Sequence, residues 1–268
     1  MTFSILIAHY KNYDYFKECH DSILKQTYQN YEVVLVDDHS PDDSFEKIVE
    51  LTKGDPRFRL FRNEENKGVG FTKKRCVDLA KGDICGFVDP DDAIRENAIE
   101  KSLEHFSSDK TSAVYSQLEI CDNQLIPQKI YAIPRQVKNN DRLFFNIFLE
   151  VNHFFTFRKS AYDKTNGINP ELTSAVDQDL YIKLYETGNL KFIKEPLYLY
   201  RIHDKGVSQE KSKKQKLNQN WHQVISDTLK RRNITKLYGK DASIIKNLPE
   251  FVFAKQNTFL KKLIKKFL

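Results

Sequence analysis

Ile84-Cys85-Gly86-Phe87-Val88-Asp89-Pro90-Asp91-Asp92 passes from an apolar run to three carboxylates within four residues. Bounded by Gly82-Asp83 and Pro90, the run Ile84 to Val88 reads as a buried strand of a parallel sheet. Such sheets bind ligands at the carboxyl ends of their strands. Three acids crowded there repel one another unless positive charge joins them. A hard divalent cation, Mg2+ or Mn2+, takes one or two carboxylates together with substrate phosphates. The competing reading is a solvated turn that caps the next helix.

Working outward, Phe3 to Ala8 is a continuous apolar strand followed by the polar loop His9-Tyr10-Lys11-Asn12. Asp14 to Gln26 predicts a helix with Tyr15, Phe16, Cys19, Ile23 and Leu24 on one face. Tyr31 to Val36 is a second apolar strand, ending in Asp37-Asp38-His39-Ser40. Ser40-Pro41-Asp42-Asp43 predicts a helix start: a capping hydroxyl, proline at the first position, then acids. A short strand, Phe58 to Phe61, and a helix from Phe71 to Lys81 precede the acid-ended strand. Strand and helix alternate, which argues for a doubly wound parallel sheet.

The second half predicts a helix over Arg95 to Phe106, a strand over Ala113 to Cys121 and a hairpin partner over Gln128 to Ile133. Leu143 to Phe157 carries six phenylalanines, read either as core or as a sugar-stacking platform. A short helix over Lys159 to Thr165 follows. Asp177 and Asp179 then open a helix that stops at Gly188, and apolar runs lead to Arg201-Ile202-His203.

The chain of 268 residues is 40% hydrophobic, enough for a substantial core. No apolar run is long enough for a membrane-spanning helix. The opening lacks a basic region and its apolar run is too short for a secretion signal. Four scattered cysteines with no CxxC pair fit reduced thiols, so a cytoplasmic protein is expected. The net charge of +6 hides a division: residues 205–268 hold 16 Lys and Arg against four Asp and Glu, residues 1–204 hold 27 against 33. An acidic body with a basic tail suits an anionic membrane surface or, alternatively, nucleic acid. From Thr258 to Leu268, Phe259, Leu260, Leu263, Ile264, Phe267 and Leu268 share one helical face and Lys261, Lys262, Lys265 and Lys266 the other. That helix could dock on the body or lie on a membrane.

Gly68-Val69-Gly70 is not a dinucleotide fingerprint: Lys73 stands where the last glycine belongs, and no acid follows in the right context. There is no phosphate loop of the GxxxxGK[ST] type and no GxSxG elbow. What remains are three acidic clusters, Asp37-Asp38, Asp89-Asp91-Asp92 and Asp177-Asp179, the first two on one sheet edge. A cation bridging a diphosphate explains three acids in one turn better than a bare carboxylate pair.

Several segments, in order, resemble family 2 glycosyltransferases. Ser22-Ile23-Leu24-Lys25-Gln26-Thr27 with Glu32 to Ser40 is similar to the family's S-x-L-x-Q-T and V-D-D-x-S segments. Asn66-Lys67-Gly68 with Arg75, Asp89-Pro90-Asp91-Asp92, Val176-Asp177-Gln178-Asp179-Leu180, and Tyr200-Arg201-Ile202-His203 with Ser208 match later motifs. The resemblance implies an α/β protein of GT-A fold. A mostly parallel sheet over residues 1–204 would have a nucleotide-binding half to about residue 110 and an acceptor half beyond it, with residues 205–268 as a basic helical C-terminal extension. It implies inverting sugar transfer from a nucleotide diphosphate, a UDP-sugar by expectation, to a saccharide or lipid-linked acceptor.

Carried residue by residue, Asp38 would take the nucleotide base, with Asp37, Ala8 and Tyr10 shaping that pocket. Lys67 and Arg75 would lie near nucleotide or phosphates. Asp89 and Asp91 form the D-x-D, Asp91 or Asp92 would bind Mn2+ or Mg2+, and His203 would approach the same edge. Asp177 would be the general base, Asp179 being the alternative because Val176 stands where the family carries Glu. The Q-x-x-R-W segment of processive synthases is missing, which implies single additions. A sugar nucleotidyltransferase is the rival enzyme class, but it wants a glycine-rich basic loop where His9-Tyr10-Lys11-Asn12 stands. The acidic body argues against nucleic acid as a partner.

Overall fold

The computed structural model of the protein describes residues 1–203 and 214–257. In chain order the first half comprises β1 (Phe3–His9), α1 (Tyr13–Leu24), β2 (Tyr31–Asp37), α2 (Ser44–Leu51), β3 (Phe58–Arg62), α3 (Val69–Leu79) and β4 (Ile84–Phe87). Then come β5 (Ala93–Ile94), α4 (Ala98–Leu103), β6 (Thr111–Cys121), β7 (Pro127–Tyr131), β8 (Phe155–Arg158), α5 (Lys159–Tyr162), α6 (Val176–Tyr185) and β9 (Asn189–Arg201). The C-terminal part contributes α7 (Lys214–Arg231), the small hairpin β10 (Lys236–Leu237) and β11 (Lys240–Asp241), and α8 (Leu248–Gln256).

β1 to β9 form one sheet in the order β3-β2-β1-β4-β8-β6-β9-β5, with β7 paired to β6. β1, β2, β3 and β4 are mutually parallel, β8 opposes both β4 and β6, and β9 runs parallel to β6. Most strands therefore point one way, as the alternating pattern predicts. Period-two alternation divides the apolar strands between two cores. Leu6, Val34 and Val36 face the α3 and α6 side with Cys76, Val77, Leu180 and Leu184. Ile5, Ile7, Val33 and Leu35 face α1, α2 and α4 with Phe16, Ile23, Ile48 and Ile99. A continuous apolar run is what a strand covered on both faces requires.

The phenylalanine-rich segment is core. Phe145, Phe154, Phe155 and Phe157 are at most 2% exposed, which leaves no ring face for a sugar. Phe145 and Ile147 pack against Ile225 and Leu229 of α7 and against Leu248 and Val252 of α8 in a third cluster. The C-terminal helices are thus bolted to the body by apolar contact.

Four details differ from the sequence reading. Ser40 does not cap α2, which starts at Ser44; its hydroxyl donates to Asp37 instead. The residues after Asp92 form β5 before α4 begins, because Ala93 and Ile94 pair with Leu199 and Tyr198 of β9. Phe155–Arg158 is an inserted antiparallel strand, unmarked by alternation because both of its faces are covered. α5 is a single turn. Ser208 and the Thr258 to Leu268 helix lie outside the described residues.

Candidate active site

Parallel register brings the ends of β1, β2 and β4 to one edge. His9 pairs with Asp37 across the β1–β2 ladder, and Val88 N donates to Leu6 O beyond the end of β4. Asp37 is fully buried, and its carboxylate is occupied: His9 Nδ1 lies 2.8 Å away, Ser40 donates from both N and Oγ, and Arg62 Nε is at 3.4 Å. Burial alone would raise its pKa, but the donors from His9 and Ser40 outweigh that and hold it below the ordinary carboxylate range. Asp37 therefore ties β1 to the loop after β2.

Asp38, 4% exposed, staples a second loop. Its Oδ1 accepts from Asn63 Nδ2 (2.7 Å) and Lys67 N (2.9 Å), and its Oδ2 accepts from Gly68 N (2.8 Å). Gly68, at φ 84°, precedes the first turn of α3 in a conformation that favours glycine. Arg75 Nη1 donates to Arg62 O and Asn63 Oδ1, so it positions the residue that positions Asp38. The Lys67 ammonium stays at the surface, paired with Glu65 at 2.9 Å. Ala8 is half-buried beside Val36, and Tyr10 is 41% exposed with Lys11 Nζ over its ring.

The residue the sequence reading missed is Lys73. It is 4% exposed, and its Nζ bridges Asp177 Oδ1 (2.8 Å) and Asp89 Oδ1 (3.0 Å). Burial alone would lower the ammonium's pKa; the two carboxylates overcome that and hold it well above its ordinary value. The signal was present. Thr72, Lys73, Cys76 and Val77 form the buried stripe of α3, so a lysine sits where a core residue belongs. Arg75, two residues on, is rotated by about 200° and faces elsewhere.

Gly70 makes this bridge geometrically accessible. A Cβ there would lie 2.5 Å from Leu172 O and 2.8 Å from Asn169 O, so α3 approaches the loop before α6 backbone to backbone. Gly70 N donates to Leu172 O at 3.1 Å. Asp177, in the first turn of α6, has a side chain one-third exposed, with His153 Nε2 4.0 Å from Oδ2. Burial would raise its pKa, but Lys73 and then His153 lower it below the ordinary carboxylate value. Asp179 is not an equivalent candidate. It is 3% exposed, and its Oδ2 accepts from Lys183 Nζ (2.7 Å) and Asn169 N (2.8 Å).

The remaining acids separate by exposure. Asp91 keeps a quarter-exposed carboxylate with His203 Nε2 2.9 Å from Oδ2. Asp92 is 2% exposed and turned inward: Arg201 N donates to Oδ1 and Tyr198 Oη to Oδ2, both at 2.8 Å. Burial first, then Asp91 and Asp89, push its carboxyl well above the ordinary range. Of the two acids considered for a cation, only Asp91 keeps an outward-facing oxygen. Among the described residues no group of three or more His, Cys, Asp or Glu is arranged as a complete metal site. One carboxylate oxygen and one imidazole nitrogen nonetheless fit a hard cation that draws its other ligands from water and phosphate.

Residues 4–165, more than half of the chain, match the profile described as Glycosyl transferase family 2. A chondroitin synthase of Escherichia coli is 33% identical over 236 residues, covering 87% of this chain and 33% of that protein. A hyaluronan synthase of Pasteurella multocida is 30% identical over 245 residues, covering 87% of this chain and 23% of that protein. The chain thus spans a third or less of the length of these relatives. Among solved structures, S. aureus TarS 1-349 in complex with UDP-GlcNAc superposes with a TM-score of 0.71 at 18% identity, covering 98% of this chain and 78% of that one. The ordered motifs, the curled mostly parallel sheet and the matched profile agree, and the chain belongs to glycosyltransferase family 2 with a GT-A fold.

Proposed function

We propose that the protein is a metal-dependent, inverting glycosyltransferase. It moves a sugar from a UDP-sugar to a hydroxyl of a saccharide or lipid-linked saccharide in cell-surface polysaccharide synthesis. The observation that carries this reading is the Lys73 bridge, which joins Asp89 of the D-x-D run to Asp177 across two halves of the fold. A donor-side acid and a base candidate are thereby within reach of one substrate. The TarS complex with UDP-GlcNAc favours a UDP-sugar donor, and the chondroitin and hyaluronan synthases favour a polysaccharide product.

In this reading the Asp38 staple holds the loop carrying Lys67 and the first turn of α3, shaping the floor under the nucleotide base beside Asp37, Ala8 and Tyr10. Arg75 supports that floor through Asn63, and Lys73 holds Asp89 and Asp177 in place. Asp177 Oδ2, the oxygen not bonded to Lys73, accepts the proton of the incoming hydroxyl. Direct attack by that oxygen inverts the anomeric centre. Asp91 and His203 would hold Mn2+ or Mg2+, which when bound would supply Lewis-acid stabilisation of a diphosphate leaving group. Asp92 supports them by fixing the end of β9.

The test is a thermal-shift screen of nucleotide sugars with and without Mn2+, followed by a UDP-release assay with the stabilising donor. Stabilisation by a UDP-sugar only with Mn2+, lost in Asp91→Ala, is expected. Equal stabilisation without metal would remove the metal assignment. Asp177→Ala should lose turnover while keeping donor binding; normal turnover would reassign the base. The amphipathic sequence at 258–268 supports action on the cytoplasmic membrane face, each lysine adding about 1 kcal/mol near an anionic surface. Equal sedimentation of full-length and truncated chain with phosphatidylglycerol vesicles would remove that part.

A further inference from the structure

We propose that His153 completes the base: it receives from Asp177 Oδ2 the proton taken from the acceptor hydroxyl. This rests on the reading of Asp177 given above. Four observations carry it. Asp177 offers only one unengaged oxygen, because Lys73 Nζ is 2.8 Å from Oδ1. That oxygen, Oδ2, is 4.0 Å from His153 Nε2. The imidazole is 8% exposed and held in one orientation, stacked on Tyr198 (4.9 Å, 20°) with Tyr181 edge-on at 6.3 Å. Its Nδ1 is buried and finds no hydrogen-bond partner among the described residues, so no structural bond accounts for a histidine here.

The groups facing the ring are few. α6 presents Asp177 and Tyr181, and β9 presents Tyr198, whose hydroxyl donates to Asp92 and accepts from Asp89 N. α3 contributes Lys73 on the far oxygen of Asp177, and the His153 backbone N donates to Asn152 Oδ1. Asp177 is the carboxylate that approaches Nε2, and the ammonium behind it makes it a poor final resting place for a proton. An imidazole ordinarily holds a proton about 400-fold more firmly than an aspartic carboxyl.

The step balances. The acceptor O–H bond breaks, and its electron pair forms the new bond to the anomeric carbon. The bond from that carbon to the diphosphate breaks, its pair leaving with the phosphate oxygen. The proton passes through Asp177 Oδ2 to His153 Nε2, leaving an aspartate anion beside an imidazolium. His153 touches no substrate atom and is a positioning residue acting through Asp177.

The test on the full chain follows UDP release with the donor found by the screen against pH for wild type, Asp177→Asn, His153→Gln and His153→Phe. The phenylalanine variant keeps a ring against Tyr198 should the glutamine variant fold poorly. Expected for His153→Phe is a 10- to 100-fold lower kcat with donor KM within twofold, and an acid limb moved to lower pH. If Asp177→Asn is inactive while His153→Phe keeps the wild-type kcat and acid limb, His153 has no such role. If Asp177→Asn is active, it is the base assignment that fails.

Discussion

Replacing Lys73 with Met isolates the charge that joins the two halves of the site. The substitution keeps an unbranched side chain of similar length against Phe87, whose ring lies 5.1 Å from the ammonium, and removes only the cation. Asp89 and Asp177 each sit within 3.0 Å of that nitrogen, so their nearest oxygens are no more than about 6 Å apart. At an effective dielectric of about 20 their repulsion is about 3 kcal/mol. Breaking a buried pair costs about 3–5 kcal/mol, and the partial exposure of both acids (28% and 33%) places this case at the lower end. A loss of about 3 kcal/mol lowers Tm by about 6–12 °C in a domain of this size.

The pH dependence has a definite sign. The Asp177 pKa is lowered in the fold, so its pairing stabilises fully above the unfolded carboxylate value and fades as pH falls through the folded one. Melting curves of wild type and Lys73→Met should therefore differ at pH 7.5 and converge only below about pH 4, as pH falls past the unfolded carboxylate value. Adding Asp89→Asn to the variant should restore at least half of the loss at pH 7.5. A variant melting within 2 °C of wild type at pH 7.5, or a gap that widens on acidification, would refute the assignment.

Asp38→Ala leaves the donors of Asn63, Lys67 and Gly68 unsatisfied and should cost about 2–4 kcal/mol in urea unfolding, with nucleotide affinity falling as the 63–68 loop loosens. Lys183→Met strands the buried Asp179 carboxylate and should cost about 3–5 kcal/mol, much of it recovered in Lys183→Met/Asp179→Leu; no recovery would show that the pair is not the cause. Gly70→Ala must push backbone against backbone at Leu172 and Asn169, and should cost about 1–3 kcal/mol together with UDP-release activity; normal turnover would show that α3 has room to retreat.

The sheet was legible because β1, β2 and β4 are apolar on both faces, the pattern of strands covered on both sides, and they alternate with helical segments. The acids after β2 and β4 were legible for the same reason: charge directly after such a run has to lie at the sheet edge. Lys73 was hidden by its company. Beside Gly68 and Gly70 it reads as a failed phosphate motif, and its partner Asp177 is 104 residues away. Arg75 stood out by residue type, yet α3's rotation spends it on Asn63. Ser40 looked like a helix cap because local grammar cannot register that a buried Asp37 competes for the same hydroxyl. β5 escaped notice since two residues become a strand only when β9 lies alongside.

The bare-backbone contact at Gly70 limits how this enzyme could be rebuilt. A second half transplanted from another transferase would have to present carbonyls at the places of Asn169 and Leu172, or α3 would have nothing to seat against. Specificity can drift in side chains around that seam, whereas the seam itself tolerates neither added bulk nor a change of loop path.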